Sequence, residues 1–149
     1  AYWAGVCAPF GLEPGEELVD ELRRLDVESW FRIDPAMIDL LARKRDRIRH
    51  LALLSNINED GVEALRARAE WIDMFDLLVL SCEHAVVKPG KEIFGICLEG
   101  LGVEPGRALF VDDLEVNVAG ARAAGLHAHR YDGVQDLEAL LGGSYRLRR

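Results

Sequence analysis

The sequence lacks several features that would assign it to a broad class at once. No apolar run approaches the ~20 residues that a membrane-spanning helix needs, and no signal peptide is visible. Cysteine is scarce: Cys7, Cys82 and Cys97 are irregularly spaced and form no metal-binding pattern, so we expect reduced thiols in a cytoplasmic protein. Basic residues are fewer than acidic ones, 18 against 26, and the net charge of −8 argues against nucleic acid and anionic membranes as partners.

The length and composition are those of one globular unit. The chain has 149 residues, half of them apolar, which is enough to bury one hydrophobic core. It contains no internal repeat and no low-complexity segment. It begins with alanine rather than methionine, from which we expect further sequence upstream.

Short apolar runs alternate with amphipathic stretches from about residue 34 onward. The apolar runs predict strands at 51–54, 77–80, 108–111 and 126–131. The amphipathic stretches predict helices at 35–43, 59–69, 90–101, 115–124 and 134–141. Strands that alternate with helices of this length are typically parallel and joined by right-handed crossovers. The pattern therefore predicts an α/β protein with a doubly wound parallel sheet.

Residues 1–33 differ from the rest. The first fifteen residues mix aromatic residues, glycine and proline without a clear period, and 16–31 is predicted to be helical. We therefore expect an appended or inserted helical piece at 1–33 and an α/β core at 34–149.

Two adjacent acids, Asp112 and Asp113, follow the third predicted strand. Ligands of open α/β sheets bind at the carboxyl ends of the strands, and neighbouring carboxylates repel unless a cation lies between them. Oxygen-only donors favour Mg²⁺. A simpler interpretation is that one acid caps the helix that follows, which leaves the other unexplained.

Polar residues also follow the first two strands. Ser55 and Asn56 lie beside the start of a helix, whose free amide groups favour an anion, although the serine could be only an N-cap. Lys88 follows the second strand, and Pro89 favours an extended backbone there before it begins the next helix. A lysine opposite two acids can neutralise a phosphoryl group and keep a carboxylate nucleophile ionised. Its neighbour Lys91 is expected on the helix surface.

Together these segments resemble the haloacid dehalogenase-like hydrolase superfamily, in the branch of small phosphatases and 2-haloacid dehalogenases. The resemblance covers residues 34–141. The second motif of the family appears as Leu-Leu-Ser-Asn at 53–56 and the third as Val-Lys-Pro-Gly at 87–90. The fourth appears as Phe-Val-Asp-Asp at 110–113, with Asn117 one helical turn further on.

The resemblance implies a Rossmann-like core and Mg²⁺-dependent hydrolysis of a small phosphorylated substrate through an aspartyl-phosphate. It implies that Ser55 binds the phosphoryl group with help from Asn56, and that Lys88 bridges nucleophile and phosphate. It also implies that Asp113 binds Mg²⁺ directly and that Asp112 lies on the ion or beside it. The alternatives are a 2-haloacid dehalogenase, which acts on a haloacid without metal, and a non-catalytic binding or regulatory protein. The sequence is also compatible with a homo-oligomer.

The first motif of the family, an apolar strand that ends in Asp-x-Asp, is not found in this sequence. Asp20 follows no apolar strand, and Asp73 and Asp76 precede the second strand. Without this motif there is neither a carboxylate nucleophile nor its acid-base partner, so we expect no hydrolase activity from this chain alone. We also expect weak or no Mg²⁺ binding, with one acid of the adjacent pair protonating more readily than a lone aspartate.

The missing motif would also leave a gap in the sheet, because the family places that strand between 51–54 and 108–111. Three alternatives follow: the strand comes from sequence outside this chain, residues 2–10 replace it, or the sheet closes directly or borrows a strand from another copy. We favour the first alternative, because residues 1–33 resemble the remains of the helical cap that the family inserts after its first motif.

Overall fold

A computed structural model describes residues 2–30 and 33–142. The helices are α1 Tyr2–Cys7, α2 Glu16–Trp30, α3 Pro35–Lys44, α4 Glu59–Arg68, α5 Ser81–His84, α6 Lys91–Leu101, α7 Glu115–Ala123 and α8 Val134–Gly142. The strands are β1 Ala52–Ser55, β2 Leu77–Leu80, β3 Leu109–Asp112 and β4 His127–Arg130. The predicted α/β class is confirmed. None of the described helices has both the length and the apolar character needed to cross a membrane.

The strands form two parallel pairs. β1 pairs with β2, with Ser55 opposite Leu80, and β3 pairs with β4, with Asp112 opposite Arg130. Within the described residues, no strand pairing joins β1 to β3. The alternative in which the sheet closes directly is therefore wrong for this structure. β1 and β3 are each hydrogen-bonded to a strand on one side only.

Local signals in the sequence explain where several elements begin and end. The carboxylate of Asp34 accepts a hydrogen bond from the Ala36 amide at 2.9 Å, and Pro35 is the first residue of α3. α6 ends at Gly102, whose φ of +62° lies in the left-handed region that glycine adopts without strain. These boundaries agree with the sequence predictions to within one residue. β3 differs by including Asp112 as its last residue.

The N-terminal segment is helical. α1 covers Tyr2–Cys7 and is followed by a 3-10 turn at Ala8–Phe10, so the alternative in which residues 2–10 replace a strand is wrong. Trp3 is buried, and its indole Nε1 donates a 3.2 Å hydrogen bond to Asp60 of α4. The indole therefore anchors α1 on the α/β part of the chain. The predicted helix at 16–31 is present as α2, and its last predicted position lies outside the described residues.

One of the buried hydrophobic clusters lies where α6 and α7 cover the strands. Phe94 of α6 packs edge to face on Phe110 of β3, with ring centroids 5.2 Å apart. The same buried cluster includes Val79 of β2 and Ala121 of α7. Both strand pairs therefore contribute to one hydrophobic cluster.

Candidate active site

Lys88 and Asp112, predicted from the ends of different strands, are in direct contact. The Nζ atom of Lys88 lies 2.7 Å from Oδ2 of Asp112. The two side chains are 11% and 6% exposed, so water screens their charges poorly. An ion pair this well buried contributes a fixed local field at the carboxyl edge of the strands.

The second oxygen of Asp112 is also occupied. Oδ1 accepts hydrogen bonds of 2.9 Å from Asn117 Nδ2 and from the Leu114 amide. Burial raises the pKa of Asp112, but the hydrogen bonds from Lys88, Asn117 and the Leu114 amide together outweigh burial and hold the pKa below its ordinary value. The expectation that one acid of the pair protonates more readily is therefore wrong for Asp112. Neither acid is the N-cap of α7, a position held by Leu114.

Asp113 is exposed, whereas Asp112 is buried. Both oxygens of Asp112 are engaged by donors, one of them an ammonium group. Within residues 2–30 and 33–142, no group of three His, Cys, Asp or Glu side chains could hold a metal ion. The donors present therefore do not fit Mg²⁺ by themselves, and the metal roles of Asp112 and Asp113 remain predictions.

Asn56 contacts the backbone of Lys88. Its Nδ2 donates to the Lys88 carbonyl at 3.0 Å, and its Oδ1 accepts from the Lys88 amide at 2.8 Å. Ser55 ends β1 and is half-buried. The N-cap of α4 is Asn58, whose side chain accepts from the Gly61 amide, so Ser55 is not the cap of that helix. The phosphoryl-binding role of Ser55 remains a prediction.

The surroundings of Lys88 differ in part from the sequence predictions. Lys91 is exposed, as expected. α6 begins at Lys91 with Gly90 as its N-cap, so Pro89 precedes the helix instead of beginning it. The ammonium of Lys88 lies 5.6 Å from the centroid of the Phe110 ring, within range of a cation–π interaction.

Two residues near this site, Ser81 and Gly120, were not predicted from the sequence. Ser81 directly follows β2 and is buried, and its hydroxyl accepts from the Ile57 amide at 2.9 Å and donates to the Ile57 carbonyl at 3.0 Å. The rule that singled out Ser55, a polar residue after a buried strand, would also have found Ser81. Gly120 lies inside a helical pattern, and nothing local marks its contact with Pro89.

Gly120 brings α7 against the loop that carries Lys88. A Cβ atom at this position would lie 2.6 Å from the Pro89 carbonyl oxygen. We expect Gly120→Ala to lower the free energy of unfolding by about 1–3 kcal/mol, because backbone must move to admit the methyl group. Gly95 in α6 is the matched control: nothing lies within 4 Å of its added Cβ, so Gly95→Ala should stabilise by up to about 1 kcal/mol. Urea unfolding of both variants measures the difference, and equal effects would contradict the packing described here.

Comparison with known proteins assigns this chain to a family. Residues 11–125 match the family model of haloacid dehalogenase-like hydrolases. The chain is 33% identical over 123 residues to a phosphatase of Mycobacterium tuberculosis, covering 81% of this chain and 56% of the relative. It is 30% identical over 126 residues to (S)-2-haloacid dehalogenase of Xanthobacter autotrophicus, covering 80% of this chain and 46% of that enzyme.

The fold is also shared with solved structures. One is a haloacid dehalogenase family enzyme of Bacteroides thetaiotaomicron in complex with magnesium and inorganic phosphate, with a TM-score of 0.67 and 23% identity. The match covers 88% of this chain and 68% of that chain. This chain spans about half the length of the two curated relatives. The family match over residues 11–125 and the parallel α/β fold lead to one conclusion: the chain belongs to the haloacid dehalogenase-like hydrolase family.

Proposed function

We propose that this chain supplies most of the active site of a Mg²⁺-dependent phosphate-ester hydrolase whose nucleophilic aspartate lies on a strand outside these 149 residues. The observation that carries the proposal is the buried pair of Lys88 and Asp112, 2.7 Å apart at the carboxyl edge of the strands. A fixed ammonium group at such an edge can stabilise the charge of a phosphoryl group during transfer. The identity to a phosphatase supports the same reaction class.

The unpaired edges of β1 and β3 are where this strand would add. In the described part of the chain, each of these strands is hydrogen-bonded on one side only. Each buried backbone group left without a partner costs about 1–3 kcal/mol, so an additional parallel strand would stabilise the sheet. Sequence outside this chain would supply that strand, with a strand borrowed from a second copy as the alternative. Residues 1–33 would then form part of a helical cap over the site.

In the completed site the added aspartate would attack the phosphorus atom, and the bond to the leaving alcohol would break. A second aspartate of the added strand would protonate that alcohol. The Ser55 hydroxyl would donate a hydrogen bond to a phosphoryl oxygen, and the Lys88 ammonium would lie beside the phosphoryl group and the nucleophile. Asp113 is the ligand that this chain would contribute to Mg²⁺, with the remaining donors supplied by the strand and the substrate.

A 2-haloacid dehalogenase is the second candidate, favoured by the 30% identity to the enzyme of Xanthobacter autotrophicus. The two candidates share a carboxylate nucleophile but differ in leaving group and in metal requirement. A 2-haloacid carries one negative charge at neutral pH, on its carboxylate, whereas a phosphate monoester carries up to two. The exposed Asp113 beside the ion pair favours the phosphatase, because a metal would offset the additional charge.

The test compares this chain with a version fused at its N-terminus to an apolar strand that ends in Asp-x-Asp. We expect the fusion to hydrolyse a generic aryl phosphate in the presence of Mg²⁺ and to lose this activity in EDTA, while the unfused chain shows none. Release of halide from a 2-haloacid without metal would favour the dehalogenase. Inactivity of a folded fusion towards both substrates would favour a non-catalytic role. If the unfused chain hydrolyses the phosphate and Asp113→Asn abolishes the activity, the chain has its own nucleophile and the proposal is wrong.

A further inference from the structure

We propose that Asn56 is the positioning residue for Lys88, holding the lysine backbone in place instead of binding substrate. The inference deepens the proposed function and rests on it in one respect, namely that Lys88 acts in the reaction. It replaces the role that the resemblance implies for Asn56, which is to help Ser55 bind the phosphoryl group.

Both ends of the Asn56 carboxamide are bonded to the same residue. Oδ1 accepts from the Lys88 amide at 2.8 Å, and Nδ2 donates to the Lys88 carbonyl at 3.0 Å. This exchange of two hydrogen bonds with one residue is the pattern of a narrow pair in an antiparallel ladder, here made by a side chain. The two bonds restrain the amide and the carbonyl of Lys88, and so they restrain the direction in which its side chain leaves the backbone.

Asn56 is itself held by the next residue along the chain. The amide and carbonyl of Ile57 are bonded to the buried hydroxyl of Ser81 at 2.9 and 3.0 Å, and Ser81 directly follows β2. Two pairs of hydrogen bonds, joined by the peptide bond between Asn56 and Ile57, therefore connect the end of β2 to Lys88. Ile57 and Ser81 are 24 residues apart in the sequence, and Asn56 and Lys88 are 32 residues apart.

A fixed backbone matters because the lysine side chain is a flexible four-carbon stem that ends in a point charge. Asp112 holds the ammonium at 2.7 Å, and Asn56 holds the other end of the residue. A displacement of about 1 Å in a reacting group can cost about 10²-fold in rate. If Asn56 turned towards a phosphoryl group instead, it would give up at least one of the bonds that define this geometry.

The experiment measures how well the Lys88 amine is protected in the chain as it stands. Amine acylation is followed residue by residue by mass spectrometry, with the exposed Lys91 as internal reference. We expect Asn56→Ala to raise the acylation rate of Lys88 relative to Lys91 by about tenfold or more, since two hydrogen bonds that hold the closed position are lost. Unchanged protection of Lys88 in folded Asn56→Ala would overturn the proposal.

Asn58→Ala is the matched control. Asn58 also makes two side-chain hydrogen bonds, to the Gly61 amide and to Asp26, but neither reaches Lys88. This variant should be destabilised through loss of its N-cap and should leave Lys88 protected. Equal exposure of Lys88 in both folded variants would reduce Asn56 to a general structural role and so contradict the inference.

A second variant and a second readout keep the inference testable if Asn56→Ala does not fold. Asn56→Asp keeps the acceptor for the Lys88 amide and loses the donor to its carbonyl, so the acylation rate should be intermediate. Hydrogen exchange at the Lys88 amide should still be slow in Asn56→Asp, and fast exchange there would contradict the inference. Neither readout requires turnover, so inactivity of the chain as a hydrolase leaves this test unaffected.

Discussion

Asp112→Asn should lower the free energy of unfolding by about 3–5 kcal/mol, the range for removing one partner of a buried ion pair. The carboxylate accepts from the Lys88 ammonium on one oxygen and from Asn117 and the Leu114 amide on the other. A carboxamide has a single acceptor, so in either orientation its NH₂ group faces a donor. Chemical denaturation monitored by circular dichroism measures the effect.

The neighbouring aspartate provides the control. Asp113 is exposed, and Asp113→Asn should change stability by no more than about 0.5 kcal/mol. Lys88→Met in the Asp112→Asn background should restore part of the loss, because the uncompensated ammonium is removed with it. Equal stability of the two single variants would show that Lys88 and Asp112 are not paired in solution.

The pKa of Asp112 gives this prediction a pH dependence. Because the folded-state pKa is held below its ordinary value, the ionised carboxylate contributes stability above the pKa of the unfolded chain. That contribution is lost as the pH falls through the folded-state pKa. The difference in stability between the wild-type chain and Asp112→Asn should therefore narrow under strongly acidic conditions, and a difference that widened would have the wrong sign.

Much of the fold could be predicted because its signals are local. The apolar run at 77–80 is bounded on both sides by polar residues, and it coincides with β2. Pro35 after Asp34 and Gly102 after Leu101 mark helix ends through backbone rules that need no tertiary contact. The helix α1 was missed because its signal is tertiary: Trp3 is buried through contacts with another part of the chain, including Asp60.

The contacts among the candidate site residues could not be predicted from the sequence. Strand ends led to Ser55, Asn56, Lys88 and Asp112 without homology. The sequence could not show that Asn56 is hydrogen-bonded to the Lys88 backbone or that Asp112 forms an ion pair with Lys88, since these partners are 32 and 24 residues apart. The adjacent acids suggested a shared metal ion, but the fold turns Asp112 inward to Lys88 and leaves Asp113 exposed.

Lys88→Met should reduce the rate of phosphate-ester hydrolysis by about 10²–10³-fold or more in a form of the protein that carries the added Asp-x-Asp strand. The substitution keeps much of the side-chain length over Phe110 and removes the charge. The loss should appear mainly in kcat. The Lys88 ammonium stabilises the negative charge of the phosphoryl group and the nucleophile more strongly in the transition state than in the bound substrate. Steady-state kinetics with an aryl phosphate, at a temperature where circular dichroism shows a folded protein, measures it.

Lys91→Met is the matched substitution three residues away. Lys91 is exposed at the first position of α6, so its removal should change kcat by less than about twofold and leave stability nearly unchanged. A larger loss of kcat in Lys91→Met than in Lys88→Met would reverse the assignment of the working lysine. A loss confined to KM in Lys88→Met would mean that the ammonium binds substrate and transition state equally well, and that its pairing with Asp112 serves binding rather than catalysis.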